Sequence, residues 1–185
     1  MSSILVISGS PSPTSRTAIV VSHVDDLLRA AGYEVRTLHV RQLPTLSLLT
    51  EDLHDPEIAD AVSAVLRADG IVVASPVYRA AYSGLVKALL DLLPKKGLRG
   101  RVILPLATGG SQGFLVAMDY ALNPLFTGKG ADNVLRGEFI LDPDIVGDVI
   151  APTSADAIRT ALDRFTLAVE DIRFRRKRTQ LRPAV

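Results

Sequence analysis

Short apolar runs alternate with amphipathic helical stretches along almost the whole chain, and this alternation limits the possible folds more than any other feature. Strand-like runs are expected at residues 4–8, 34–39, 71–74, 102–106 and 134–140. Between the first two, Val20, Val21, Val24, Leu27 and Leu28 recur at helical spacing, which predicts a helix over 18–30. The same periodicity predicts helices over 58–66, 85–93 and 115–125. A last helix is expected from a Ser154 cap through Ile158, Leu162, Phe165, Val169 and Ile172. Strands that alternate with helices build a parallel sheet covered on both faces.

Five strands in 185 residues fit an α/β three-layer sandwich of flavodoxin-like type, with a five-stranded parallel sheet in order 2-1-3-4-5. One domain over 1–185 is expected, because the chain is 48% hydrophobic and shows no repeat, linker or low-complexity segment. There is no cysteine, which excludes disulfides, thiolate metal sites and a thiol nucleophile. His23, His39 and His54 lack metal-ligand spacing, so no metal site is expected. The first apolar run covers only 4–7, too short for a signal-peptide core, and no segment approaches a membrane span. A cytoplasmic location without membrane contact is the expectation. In a sheet of this order, ligands lie at the carboxyl ends of the strands, at the switch between strands 1 and 3. The turns at 10–17, 75–83 and 108–113 are therefore expected to meet along one edge.

The first turn reads Gly9-Ser10-Pro11-Ser12-Pro13-Thr14-Ser15-Arg16-Thr17. It gathers backbone N–H groups, hydroxyls and the Arg16 guanidinium at the positive end of a helix, where a phosphate binds well. No Gly-Lys-Ser/Thr closes it as in a Walker loop, and Gly9 lacks the partner glycines of a dinucleotide fingerprint. A hydroxyl-rich loop after the first strand suits the phosphate of flavin mononucleotide (FMN). An ordinary strand–helix turn with a serine cap explains the same residues and stays open at this point.

The second turn reads Ser75-Pro76-Val77-Tyr78-Arg79-Ala80-Ala81-Tyr82-Ser83-Gly84. Pro76 and Gly84 are expected to fix a wide loop whose small residues let backbone approach a flat ring. Tyr78 would line or stack on that ring, and Arg79 would bring positive charge near a reduced flavin or a phosphate. The alternative is a surface loop with half-buried tyrosines. The third turn holds Gly109-Gly110-Ser111-Gln112-Gly113, which matches the G-x-S-x-G nucleophile elbow. A hydrolase of that type needs its histidine after the serine, and all three histidines precede Ser111. The loop reads better as glycine backbone pressed against a ligand.

Net charge is +1, but Arg173, Arg175, Arg176, Lys177, Arg178 and Arg182 form a basic tail without any acid. The rest then holds 15 basic against 20 acidic residues. Such a tail suits contact with nucleic acid or an acidic partner, but nothing else points to nucleic acid, and the reading preferred is a solvated helix end, where cations suit the helix dipole.

Gly9-Ser10-Pro11 with Ser15-Arg16, then Pro76 to Gly84, then Leu106-Ala107-Thr108-Gly109-Gly110 resemble the NAD(P)H-dependent FMN reductases. Within that family they resemble the sulfonate-assimilation branch, which serves two-component monooxygenases. The runs Leu89-Leu90-Asp91-Leu92-Leu93-Pro94 and Asp119-Tyr120-Ala121-Leu122-Asn123-Pro124 belong to the same pattern. It spans about residues 4–140 and fades between Leu141 and Thr153.

The resemblance implies FMN with NADPH or NADH, the FMN phosphate being held by Ser10, Ser15, Arg16 and Thr17. The isoalloxazine ring is then expected against Pro76, Val77, Tyr78, Arg79, Ala80 and Ser83, with Thr108, Gly109 and Gly110 along its other edge. Many relatives carry Arg where this chain has Ser12, and Lys where it has Arg79. The first difference makes the phosphate or nicotinamide site less basic, and the second alters how reduced flavin is stabilised. In the sulfonate branch a Tyr matching Tyr120 comes with a one-residue insertion that forms a π-bulge. Members that carry it treat flavin as an exchangeable substrate, and their helix lies at a tetramer interface. Tyr120 is therefore expected to serve flavin exchange rather than acid–base chemistry, with plain interface packing as the alternative.

The implied reaction is hydride transfer from nicotinamide C4 to FMN N5, which requires no side-chain acid or base. Reduced FMN then passes to a flavin-dependent monooxygenase, and a homo-oligomer, dimer or tetramer, is expected. Two rivals share the loops. One is a reductase with bound FMN acting on quinones, azo dyes or chromate. The other is a non-enzymatic flavodoxin-like electron carrier; such carriers are markedly acidic, which a net charge of +1 does not suit.

Overall fold

The apolar runs form the strands of a central sheet in the computed structural model, which describes residues 2–111 and 118–180. β1 (Ser3–Ser8) pairs in parallel with β2 (Glu34–His39) on one side and with β3 (Gly70–Tyr78) on the other. β3 turns back into the short antiparallel β4 (Ala81–Tyr82), and its far edge pairs in parallel with β5 (Val102–Gly109). Beyond β5 lie β6 (Asn133–Val134) and β7 (Glu138–Leu141), both parallel to it.

Side chains of successive strand residues point to opposite faces, so a strand covered on both sides must be apolar throughout. In β1, Ile4 and Val6 pack on one side while Leu5 and Ile7 pack on the other. The first face meets α1 (Arg16–Ala30) through Val20, Val21, Val24 and Leu28. The second is covered by α2 (Thr45–Leu49), α3 (Pro56–Arg67), α4 (Gly84–Asp91) and α5 (Asn123–Gly128). A hairpin of β8 (Ile145–Val146) and β9 (Val149–Ile150) leads into α6 (Pro152–Gln180), which joins α1 on the first face through Ile158, Leu162 and Phe165. No helix among the described residues is long and apolar enough to cross a membrane.

The sheet departs from five strands in order 2-1-3-4-5. Its path is β2-β1-β3-β5-β6, with β4 and β7 as additional strands. The expected last strand is broken because Val134 faces Ile103 while Glu138 faces Leu106, which leaves one surplus residue on the outer strand. Gly137 sits at the break, where a methyl group would overlap both Pro105 O and the Met118 side chain. Gly137→Ala is therefore expected to destabilise the fold by about 1–3 kcal/mol, the cost of overpacking. Urea unfolding of the variant would read this as a lower midpoint at unchanged slope.

Other expectations shift as well. Residues 75–84 form a tight hairpin rather than a wide loop, with Arg79 (φ 49°) and Ala80 (φ 63°) at its two turn positions. Positive φ at both positions is the turn that matches strand twist, although Gly or Asn usually supplies it. The last helix starts at Pro152, whose fixed φ suits a first turn, and Ser154 instead donates a 2.8 Å hydrogen bond to Asp144 Oδ2. The predicted helix over 115–125 lies partly outside the described residues; its remainder is a π-helical turn (Met118–Leu122) followed by α5. The basic segment continues α6 as far as Gln180, with Arg182 outside the described residues, and its first part is tied to the body. Arg173 donates to Ser2 Oγ at 2.9 Å, and Arg176 pairs with Asp69 at 3.6 Å and reaches Gly100 O.

Candidate active site

The chain leaves β1 toward β2 on one side and returns to β3 on the other, so the two connections part and open a crevice at the carboxyl edge. Three contacts between loops fix that edge. Gly9 N–H donates to Ala74 O at 2.8 Å, and the approach is tight because a methyl group on Gly9 would overlap Val86 Cγ2. Thr17 and Thr108 share a buried hydroxyl–hydroxyl hydrogen bond of 2.7 Å between α1 and the end of β5. Ser75 Oγ accepts from Ser83 N–H at 2.9 Å and so closes the β3–β4 hairpin onto α4.

A cavity of about 420 Å³ opens between these loops, within the range of small-molecule sites. Thr14, Ser15, Arg16 and Thr17 form one end, at the start of α1. Ser15 caps the helix, its Oγ accepting from Ala18 N–H at 3.1 Å, and its own proton remains available to a ligand. The amides of Arg16 and Thr17 have no carbonyl four residues back inside the helix, which makes this end a ready anion site. Pro76, Val77 and Tyr78 form the apolar wall, Tyr78 being 57% exposed. Thr108 and Gly109 line the cavity from β5, Thr108 in register beside Pro76.

Six of the expected residues lie outside this lining. Ser10 is fully buried and closes its own turn, accepting from Ser12 N–H and donating to Ser12 O, both at 3.2 Å. Ser83 caps α4 by accepting from Leu85 N–H. Arg79 and Ala80 are exposed at the hairpin tip, and Gly110 is exposed one residue beyond the lining. Tyr120 also stands outside it, 81% exposed at the centre of the π turn. That turn is coupled to the cavity, because Met118 packs against Val77 and Ala107. The cavity also takes in Ile19, Asp142, Ile145 and Gly147, which the sequence pattern did not point to.

No histidine lines the cavity. His39 sits on the α1–β2 flank, where burial, and then the nearby Arg41, push its imidazole below the ordinary range.

An open parallel sheet with hydroxyls and an arginine on a helix N-terminus at its switch point defines a flavodoxin-like, mononucleotide-binding α/β protein. The sequence profile of the NADPH-dependent FMN reductases matches residues 2–144, and the chain belongs to that family. It is 36% identical over 160 residues to the FMN reductase (NADPH) of Escherichia coli strain K12, covering 86% of this chain and 84% of that protein. The NADH-dependent FMN reductase SfnF of Pseudomonas putida is 37% identical over 127 residues, covering 66% and 68% respectively. Among solved structures, the apo form of the NADH:FMN oxidoreductase EMOB superposes with a TM-score of 0.85 at 37% identity, over 91% of this chain and 90% of that one. The chain is accordingly an NAD(P)H:FMN oxidoreductase, using FMN with NADPH or NADH.

Proposed function

We propose that this oxidoreductase binds FMN in the cavity at the carboxyl edge of the sheet, releases it after reduction, and so supplies a partner flavin-dependent monooxygenase. The observation that carries the reading is the mixed lining of the cavity: the start of α1 with Ser15 and Arg16, together with the apolar Pro76, Val77 and the Tyr78 ring. The Ser15 hydroxyl, the first amides of α1 and the Arg16 guanidinium take the phosphate. Pro76, Val77 and Tyr78 orient the ring, with the Thr108–Gly109 backbone beside them on β5. Bound FMN supplies the ring that accepts two electrons from the nicotinamide. The chain itself contributes orientation and exclusion of water, which requires no side-chain acid or base. Release is supported by the exposed Tyr120 in its π turn, a distortion that often marks functional positions. The same exposed aromatic suits a homo-oligomer, dimer or tetramer, in which Tyr120 packs against a neighbouring copy.

Oxidation of NADPH or NADH by flavin-free protein is expected to require added FMN, with riboflavin a poorer substrate at sub-saturating concentration. Riboflavin lacks the phosphate that Ser15 and Arg16 hold. Equal kcat/KM for the two flavins would remove the phosphate from the start of α1.

A further inference from the structure

We propose that Asp142 is a built-in competitor for the flavin phosphate, holding FMN affinity down so that the flavin exchanges. This rests on the reading of the α1 N-terminus as the phosphate site. Asp142 opens a short 3₁₀ turn (Asp142–Asp144) directly after β7 and lines the same cavity as Thr14, Ser15 and Arg16. It is the one acidic residue among the described residues that line it. Its Oδ2 lies 3.7 Å from Arg16 Nη1, with the two side chains 32% and 54% exposed.

That distance separates two roles. A carboxylate that held Arg16 in position for a ligand would grip the guanidinium through hydrogen bonds of about 2.7–2.9 Å. At 3.7 Å the pair shares charge without fixing geometry, so Asp142 draws on the field of Arg16 and does not orient it. A phosphate monoester carries about −1.5 to −2 charge at neutral pH. Beside Arg16 it meets a like charge at short range.

The turn that carries the carboxylate is itself held in place. Ile145 N–H closes the turn onto Asp142 O, while the Asp144 side chain accepts from Ser154 Oγ at 2.8 Å and Asp144 O accepts from Ala151 N–H at 2.7 Å. The turn is thus pinned to the start of α6, with Asp142 facing the cavity. Repulsion acts on the phosphate alone, which makes affinity for FMN adjustable without any change in the wall that meets the ring.

The test measures FMN and riboflavin dissociation constants by flavin fluorescence, on flavin-free protein, for the wild type, Asp142→Asn, Asp142→Ser and Asp142→Glu. Both neutral variants are expected to bind FMN about tenfold tighter, the scale of one partly screened charge pair. FMN release, followed by stopped flow, should slow by a similar factor. Riboflavin affinity should not move, and Asp142→Glu should stay near the wild type. The gain should shrink as salt shortens the Debye length. Unchanged or weaker FMN binding in both neutral variants overturns the proposal, as does equal tightening for both flavins, which would make the effect steric. Wild-type protein that binds riboflavin as tightly as FMN, with Arg16 insensitive to substitution, would instead overturn the phosphate-site reading beneath it.

Discussion

Deletion of Tyr120 is expected to yield a protein that purifies yellow with bound FMN and has lost steady-state reduction of free FMN, while the wild type purifies nearly colourless. The π turn holds its residues between two buried anchors, Met118 and Leu122, and Tyr120 projects outward between them. Met118 packs on Val77 and Ala107 beneath the cavity, whereas Leu122 belongs to the main core beside Phe126. With Tyr120 removed, the anchors stand three residues apart, a spacing that an ordinary α-turn keeps on one face. The segment can then regularise without losing either anchor, so the fold should survive. What changes is the packing of Met118 on Val77 and the surface offered to a neighbouring copy. A distortion that held the flavin site dissociable would be gone, and release would become limiting. Slowing release by about 3 kcal/mol lowers turnover by roughly a hundredfold or more. One reduction of the retained flavin by NADPH should still occur, because no lining residue has been removed. Absorbance of the dialysed variant near the flavin band, with single-turnover and steady-state assays side by side, reads all three outcomes. A wild type that keeps stoichiometric FMN through dialysis would count against exchange and favour a bound-flavin reductase.

How much of this was legible in the sequence depends on whether a feature is local. β1, β3 and β5 are buried on both faces and read directly as continuous apolar runs. Ser15, Arg16, Thr17, Pro76, Val77, Tyr78, Thr108 and Gly109 were reachable because the parallel order places the loops that carry them along one edge. The broken outer strand was not reachable, since it depends on Gly137 meeting Pro105 O and Met118 across the sheet. The β3–β4 hairpin was hidden for a different reason: Arg79-Ala80 lacks the Gly or Asn that normally announces two positive φ angles. Ser10 and Ser83 show the ambiguity of hydroxyls in turns, which close loops and cap helices as readily as they hold ligands. Asp142, Ile145 and Gly147 lie outside the three turns that the sequence singled out, and only the folded chain brings them over the start of α1.

Arg16→Ala is expected to weaken FMN binding by roughly 10- to 150-fold, the equivalent of a charge-assisted contact of about 1.5–3 kcal/mol. The guanidinium is half exposed at the first position of α1, and its charged partner Asp142 stands 3.7 Å away without a close hydrogen bond. An exposed ion pair of that kind adds little to stability, so the fold should be nearly unaffected. Ser15 still caps the helix through Ala18 N–H, and the buried Thr17–Thr108 bond still ties α1 to β5. The loss should therefore appear as a higher KM for FMN with little change in kcat, because the contact is made equally before and during electron transfer. Riboflavin, without a phosphate, should bind the variant and the wild type alike. Arg16→Lys keeps the charge but not the forked pair of donors, and should recover only part of the affinity. Flavin titration of the three proteins decides the assignment. Unchanged FMN affinity in Arg16→Ala would move the phosphate away from the start of α1 and take the proposed role of Asp142 with it.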